Sequence, residues 1–406
     1  LGFSEIFFFP YITYKMGGGL MQLVAHGAQD TYLTGEPEIT FFKAVYRQHT
    51  NFAVESIDQV FNGTTGFGRK ATVTVSRNGD LISNTYLEVD LPALPTGWSW
   101  NNNIGHTLIE EVELEIGGQR IDRHYGQWMD IWSELSMPEE KKAMFDADML
   151  MKSQGVPGYG VDLDPKKLYI PLQFFFNRVQ GLALPLIALQ YHEVKLNFTF
   201  APLKSLISNA ADPNANLPSL EPTIRLYIDY IYLDTEERKR FAQSQHELLI
   251  EQLQFHGDET PLVNGSYRLN FNHPVKELVW VVSQPTATDK FNVDIAGEES
   301  VTDALLQLNG HDRFDKRDGS YFRLVQPFQH HTRIPQRHIY CYSFALKPED
   351  HQPSGTCNFS RIDNATLKLT LPQGVVDKSD AKVKIFATSV NVLRILSGMG
   401  GLAYSN

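Results

Sequence analysis

Apolar and polar side chains alternate with a period of two in segment after segment of this chain. Val73 and Val75 alternate with Thr72, Thr74 and Ser76, and Val112, Leu114 and Ile116 with Glu111, Glu113 and Glu115. Leu196, Phe198 and Phe200 do so with Lys195, Asn197 and Thr199, and Leu367, Leu369 and Leu371 with Thr366, Lys368 and Thr370. One apolar and one polar face per segment is the signature of antiparallel strands half-covered by a partner sheet. Residues 38–46 are expected to open the first regular element, and residues 52–61, 223–233, 275–283, 305–309, 339–346 and 381–396 are further strands. In the first half only residues 130–151 read as helical, with Met137-Pro138-Glu139-Glu140 as a second helix start. Eight or so short strands per half, with long connections and few helices, predict an all-β chain of two tandem eight-stranded antiparallel jelly rolls carrying short helical insertions.

One stretch is written twice. Leu114-Glu115-Ile116-Gly117-Gly118-Gln119-Arg120-Ile121-Asp122-Arg123 is echoed by Leu306-Gln307-Leu308-Asn309-Gly310-His311 and, after an inserted Asp312, by Arg313-Phe314-Asp315-Lys316. Gly126-Gln127-Trp128-Met129 then matches Gly319-Ser320-Tyr321-Phe322. Two copies are too few for a solenoid or propeller, so the repeat points to a pair of similar β domains. The charge run at 234–240 is the best boundary, which gives an arm at 1–37, a first roll at 38–240 and a second at 241–406. Met16 reads as a natural initiator, with residues 1–15 as extra sequence upstream of it. Residues 17–28 have no sustained period of either kind, and the tail at 397–402 is Gly-rich and ends the chain.

Composition narrows the function. A length of 406 residues suits two domains, and 42% hydrophobic with 20% charged residues is globular. The formal net charge of −11 disfavours a phosphate backbone as partner. With Cys341 and Cys357 as the only cysteines, no disulfide framework holds the chain, and Cys341 reads as a small buried strand residue. No apolar run approaches the roughly 18–20 residues of a membrane span.

Enzyme signatures are sparse. His192-Glu193 and His246-Glu247 begin as zinc-protease motifs do, but Leu196 and Ile250 stand where the second histidine belongs, so both read as surface residues. Gly66-Phe67-Gly68 leads into a strand and reads as a hairpin loop, since a dinucleotide fingerprint needs a helix N-terminus. Asp146 with Asp148, and Asp162 with Asp164, fit no Ca²⁺ loop and read as solvated acids. His330, His331 and His338 form the densest histidine cluster, and a loop packed against a neighbour is the preferred reading, because adjacent strand residues point apart. No catalytic residue, metal or cofactor is expected. Asn-x-Ser/Thr sequons occur at Asn62, Asn197, Asn264, Asn358 and Asn364; Asn197 lies mid-strand, which leaves Asn62, Asn264, Asn358 and Asn364 as glycan candidates. A carbohydrate-active or glycan-binding tandem jelly roll is the alternative that these features leave open.

Several separated blocks remain: Gly17-Gly18-Gly19-Leu20-Met21-Gln22-Leu23-Val24-Ala25-His26-Gly27-Ala28-Gln29-Asp30, Ile39-Thr40-Phe41-Phe42-Lys43-Ala44-Val45-Tyr46-Arg47, Asn272-His273-Pro274-Val275-Lys276-Glu277 and Ser397-Gly398-Met399-Gly400-Gly401-Leu402. Together they resemble the major capsid proteins of large nucleocytoplasmic DNA viruses, closest to the phycodnavirus and mimivirus side of the group. The resemblance implies a double jelly roll, three chains per pseudo-hexagonal capsomer, and an icosahedral shell around an inner membrane, in a virion protein made in the host cytoplasm. It implies an assembly arm, including Leu20, Met21, Gln22, Leu23 and Val24, that runs beneath the capsomer toward minor capsid proteins or that membrane. It implies no catalysis and no direct contact with nucleic acid.

Overall fold

A computed structural model describes residues 17–152, 165–209, 216–295 and 299–405. The chain divides into two units, residues 1–50 and residues 51–406.

In the first unit, helix α1 (Gly18–Val24) buries none of its residues. Asp30 ties the following turn together by accepting from the Gly27 amide at 2.7 Å, while its carbonyl accepts from the Thr34 hydroxyl at 2.8 Å. The strand expected at residues 38–46 does not form. The adjacent Phe41 and Phe42 interrupt any period of two, the backbone turns there, and both rings stay in water.

Among its described residues the second unit holds sixteen principal strands in four large sheets. In the first half they are β1 (Phe52–Gln59), β2 (Lys70–Thr74), β3 (Leu81–Leu91), β4 (Ile109–Ile116), β5 (Gln119–Tyr125), β6 (Lys166–Pro171), β7 (Val194–Phe200) and β8 (Thr223–Leu233). In the second half they are β9 (His246–Glu259), β10 (Asn264–Arg268), β11 (Pro274–Ser283), β12 (Asp303–Leu308), β13 (His311–Asp312), β14 (Tyr340–Ser343), β15 (Ala365–Thr370) and β16 (Lys382–Leu396). The first half pairs as β1-β8-β3-β6 and β2-β7-β4-β5; the second pairs as β9-β16-β11-β14 and β10-β15-β12-β13. Adding eight to each label of the first roll reproduces the second, so the two rolls share one connectivity.

Alternation sets each core. Leu114 of β4 lies opposite Leu196 of β7 and Val112 opposite Phe198, all facing inward. In the second roll Leu306 of β12 lies opposite Leu367 of β15, and Ala304 opposite Leu369. The first core also takes in Ile250, Leu393 and Ile395 from the second roll, the second is built from its own side chains, and a third apolar cluster joins the rolls.

The duplicated stretch is the β4-β5 hairpin in one roll and the β12-β13 hairpin in the other. Gly117 and Gly118 have φ of 57° and 83°, and Asn309 and Gly310 have 51° and 82°. Two successive positive φ values make the type I′ turn that matches strand twist, and Gly and Asn are the residues that tolerate it. After the hairpin the copies diverge. β5 continues to Tyr125, whereas residues 313–316 bulge out of β13 before Arg317 and Asp318 pair again with β12.

At the sequence's second repeated point, a Cβ on Gly126 would drive into the carbonyl oxygens of His106 and Ile109, and one on Gly319 into that of Val301. Helix α2 (Gly126–Ser136) starts at the first of these, followed by α3 (Glu139–Met144) after Pro138. Helix α4 (Thr235–Gln243) takes up the charge run between the rolls, capped by Asp234 accepting from the Thr235 amide at 2.8 Å. A π-turn (Tyr321–Val325) running into α5 (Gln326–His330) follows Gly319.

The Gly-rich tail is a strand, not a loose end. Ser397 and Gly398 make a third turn with positive φ, 54° and 80°, and β17 (Met399–Leu402) folds back on β16. Its glycines let it lie against the first roll: a Cβ at Gly400 would crowd Leu189 and Ile116, and the Leu402 amide donates to Gln119 Oε1 at 3.1 Å. Beside it the edges β5 and β9 face each other. The Leu253 amide donates to Asp122 Oδ1 at 3.1 Å and the Gln252 side chain to the Ile121 carbonyl, which occupies edge groups that would otherwise be open.

Candidate assembly surfaces

The join between the rolls starts from spacing in α2. Trp128, Ile131, Trp132 and Leu135 fall at i, i+3, i+4 and i+7, one face of a helix. That face packs on the outer side of the second roll's β9-β16-β11-β14 sheet, against Val279, Val281, Cys341 and Phe386. Ring centroids lie 5.4 Å apart for Trp128 and Phe386 and 4.7 Å for Phe255 and Phe386. The Arg178 guanidinium sits 4.0 Å over the Trp132 ring. Each such buried side chain contributes about 1.5–3 kcal/mol.

The polar residues of the same helix are buried as well. Arg337 reaches Asp130 at 3.0 Å and the Phe291 carbonyl at 2.7 Å, Arg333 donates to the Glu134 carbonyl at 2.9 Å, and Lys152 reaches Glu134 at 2.7 Å. Burial pushes the Asp130 carboxyl up, but Lys152 and Arg337 outweigh it and hold the group below the ordinary carboxylate range. Burial also pulls the Lys152 ammonium down, and Asp130 and Glu134 reverse this and hold it charged. For His106 burial, aided by Lys152 and Lys142, outweighs the nearby Asp130 and holds the imidazole down to about 3, so it is neutral. Asp146, expected in solvent, is buried and paired with Lys142, because the α3 insertion folds back under α2. Asp148 is exposed, and Asp162 and Asp164 lie outside the described residues.

The histidine-rich loop is the other wall of this join. His331 Nε2 lies 3.0 Å from Glu277 and Nδ1 2.9 Å from Glu349, all within the second roll. Burial lowers the imidazole, and Glu277 and Glu349 raise it well above its ordinary value; in turn His331 holds the buried Glu277 down. His330 bonds the Leu346 carbonyl at 3.0 Å and His338 faces Asp294 at 3.5 Å, so the three rings diverge. Among the described residues no group of three or more metal-ligating side chains converges. His192 and His246 are half-buried backbone ties rather than free surface groups, with Nδ1 of His192 2.9 Å from the Gly400 carbonyl and Nε2 of His246 2.7 Å from that of Phe241.

Of the assembly-arm residues, Leu20, Met21, Gln22, Leu23 and Val24 all lie on α1, and Leu23 is 76% exposed. Asn62, Asn264, Asn358 and Asn364 are exposed, whereas Asn197 is half-buried in β7 and bonded to Thr72. A cleft of about 860 Å³ is lined by Trp98, Lys204, Thr288 and Lys290 among others and gathers no pair of acids among the described residues. Among the described residues no helix is long and apolar enough to cross a membrane.

Two surfaces escaped the sequence reading. Leu324, Val325 and Phe328, on the π-turn and α5, are 39%, 38% and 75% exposed. On the outer face of the β1-β8-β3-β6 sheet, Tyr86 stacks on Tyr227 at 5.3 Å and lies 6.3 Å from Tyr169. The signal for the first was present, since residues 324 and 328 are one helical turn apart.

Two family models cover nearly all of this fold: "Major capsid protein N-terminus" over residues 40–234 and "Large eukaryotic DNA virus major capsid protein" over 237–401. The chain belongs to this capsid-protein family. It is 53% identical to the major capsid protein of Pyramimonas orientalis virus and 45% identical to that of Paramecium bursaria Chlorella virus 1, each match covering 96% of this chain and all of the relative. The capsid protein in a quasi-atomic model of the PBCV-1 virus capsid superposes with a TM-score of 0.78 at 42% identity, over 90% of this chain and all of that one. The Faustovirus major capsid protein shares the fold alone, with a TM-score of 0.73 at 13% identity, over 91% of this chain and 94% of that one. As a major capsid protein of this family the chain is a structural component of the virion, and its double jelly roll is the family's fold.

Proposed function

We propose that three copies close into a pseudo-hexagonal capsomer that tiles an icosahedral shell, with no reaction catalysed. The repetition of one strand order in both rolls carries this reading, because three chains of two like rolls present six nearly equivalent corners to a hexagonal lattice. Contacts within the trimer are of the obligate kind, on the order of 2,000 Å² or more each. Contacts between capsomers are weaker, so that errors dissociate during assembly. In this reading the rolls span 38–240 and 241–406, and the arm at 1–37 runs beneath the capsomer, with Leu20–Val24 engaging minor capsid proteins close to an inner membrane rather than nucleic acid. The protein is made in the host cytoplasm. Asn62, Asn264, Asn358 and Asn364 are the accessible positions for glycans, which intact-mass measurement before and after deglycosylation reads out. Sedimentation velocity and electron microscopy of the purified chain test the assembly: threefold blocks with a hexagonal outline are expected, and a monodisperse monomer at micromolar concentration overturns it.

A further inference from the structure

The two rolls are built alike but are not covered alike. In the first, the segment between β5 and β6 carries α2, which is buried from Gly126 to Leu135 against the outer face of the second roll's β9-β16-β11-β14 sheet. In the second, the segment between β13 and β14 carries the π-turn and α5 at the same place in the fold, and among the described residues no sheet covers its outer side. Phe322 and Pro327 are buried, while Leu324, Val325 and Phe328 stand in water. Leu346, 73% exposed, extends the patch, since its carbonyl is 3.0 Å from His330 at the end of α5. Exposed apolar clusters of this kind mark interaction sites.

The complementary vacancy is on the first roll. Its β1-β8-β3-β6 sheet corresponds to the sheet that receives α2, yet its outer face shows Tyr169 37% and Val54 54% exposed, with Val54 opposite Ile231 across the β1-β8 pair. Tyr86, Tyr169 and Tyr227 run across the middle of that face. The carboxylate at its centre is neutralised locally, Glu88 accepting from Lys167 at 2.9 Å and Arg225 at 3.1 Å, and Asp229 accepts from Asn84 at 3.1 Å, which leaves Asp58 on the edge strand as the charge a partner must keep wet. Tyrosine-rich, partly desolvated faces are typical of interface centres.

We infer that the Leu324–Val325–Phe328 patch of one copy docks on the Tyr86–Tyr169–Tyr227 face of a second copy, repeating between chains the contact that α2 makes within one. Every chain then has one donor helix and one acceptor face left over, which is a heterologous contact that must close into a ring or run on as a filament. Closure at three copies rests on the threefold reading above; the identity of the two surfaces does not.

Two variants of the full chain separate the possibilities. Phe328→Asp, at a site that is 75% exposed, is expected to keep the wild-type circular dichroism melt while raising the concentration of half-assembly at least about 100-fold by sedimentation. Phe328→Cys combined with Asn84→Cys, on the exposed rim of the acceptor face, is expected to give covalent dimers and trimers with a short bismaleimide, while each single variant gives only the background from Cys357. A wild-type trimer that is indifferent to Phe328→Asp, or that gives no ladder above background with the double variant, overturns this docking and leaves the threefold reading standing. A wild-type monomer overturns both.

Discussion

Helix α2 and the π-turn with α5 occupy the same place in two rolls of the same connectivity, yet one is buried almost throughout and the other leaves Leu324, Val325 and Phe328 exposed. The fold does not decide which residues are covered; the neighbour does. α2 meets the second roll of its own chain and carries two tryptophans and two buried acids. The later segment carries Leu324, Val325 and Phe328, apolar but free of buried charge, as suits a surface that must survive in water before it is used.

The comparison is sharpest for the aromatic anchors. Trp128→Ala is expected to lower the unfolding free energy by about 4 kcal/mol in urea titration, by loss of burial and creation of a cavity. Phe328→Ala, measured in dilute dissociated protein, should stay within about 0.5 kcal/mol of wild type. Equal losses at both sites would mean that the two segments are not distinguished by cover.

Next in size are the ions. Arg337→Met leaves Asp130 and Asp289 without their shared guanidinium and should cost about 3 kcal/mol in the same urea titration. The His331 site gives a pH signature of the opposite sense to ordinary acid loss. Its raised folded-state pKa makes its contribution complete below about pH 6.5, the unfolded value, and progressively lost as pH climbs, at up to about 1.4 kcal/mol per unit. The lowered Glu277 contributes above about pH 4.3 and is lost as pH falls through its folded value. Stability measured from pH 5 to 9 should therefore decline on the alkaline side, and His331→Gln should flatten that decline while lowering the whole curve.

The smallest effects separate the twin turns. Asn309→Gly keeps the left-handed backbone and should cost less than about 1 kcal/mol. Gly117→Asn meets the same φ requirement but drives a Cβ into His192, and should cost more, about 1–3 kcal/mol, by thermal denaturation.

Local chemistry was readable in the residues. Gly117-Gly118 and Asn309-Gly310 announce their turns because few other pairs tolerate two positive φ values, and the period of two in β4, β7 and β15 announces the sheets. What a residue will meet across the fold was not readable. Asp130, Asp146 and Lys152 look like surface charge in sequence, and only the approach of residues 333–337 from the other roll and the return of the α3 insertion bury them. Residues 38–46 have the apolar content of a strand without its alternation. The tail at 397–402 read only as Gly-rich, with no strand assigned to it, and its glycines are small because another roll's surface passes close by. The candidate surfaces split the same way. The arm residues Leu20–Val24 were marked by resemblance, whereas the tyrosine face and the Phe328 patch emerge only once like sheets are compared for what covers them.

β17 also sets a timetable for synthesis. The first roll's eight principal strands have all been synthesised once Leu233 is made, but the residues that seal its β5 flank, Gln252 and then Leu402, come later, the last of them 169 residues on. At about 5–20 residues per second, the nascent roll waits on the order of ten seconds with that flank open. A polypeptide halted anywhere before Met399 therefore leaves that flank of the first roll unsealed.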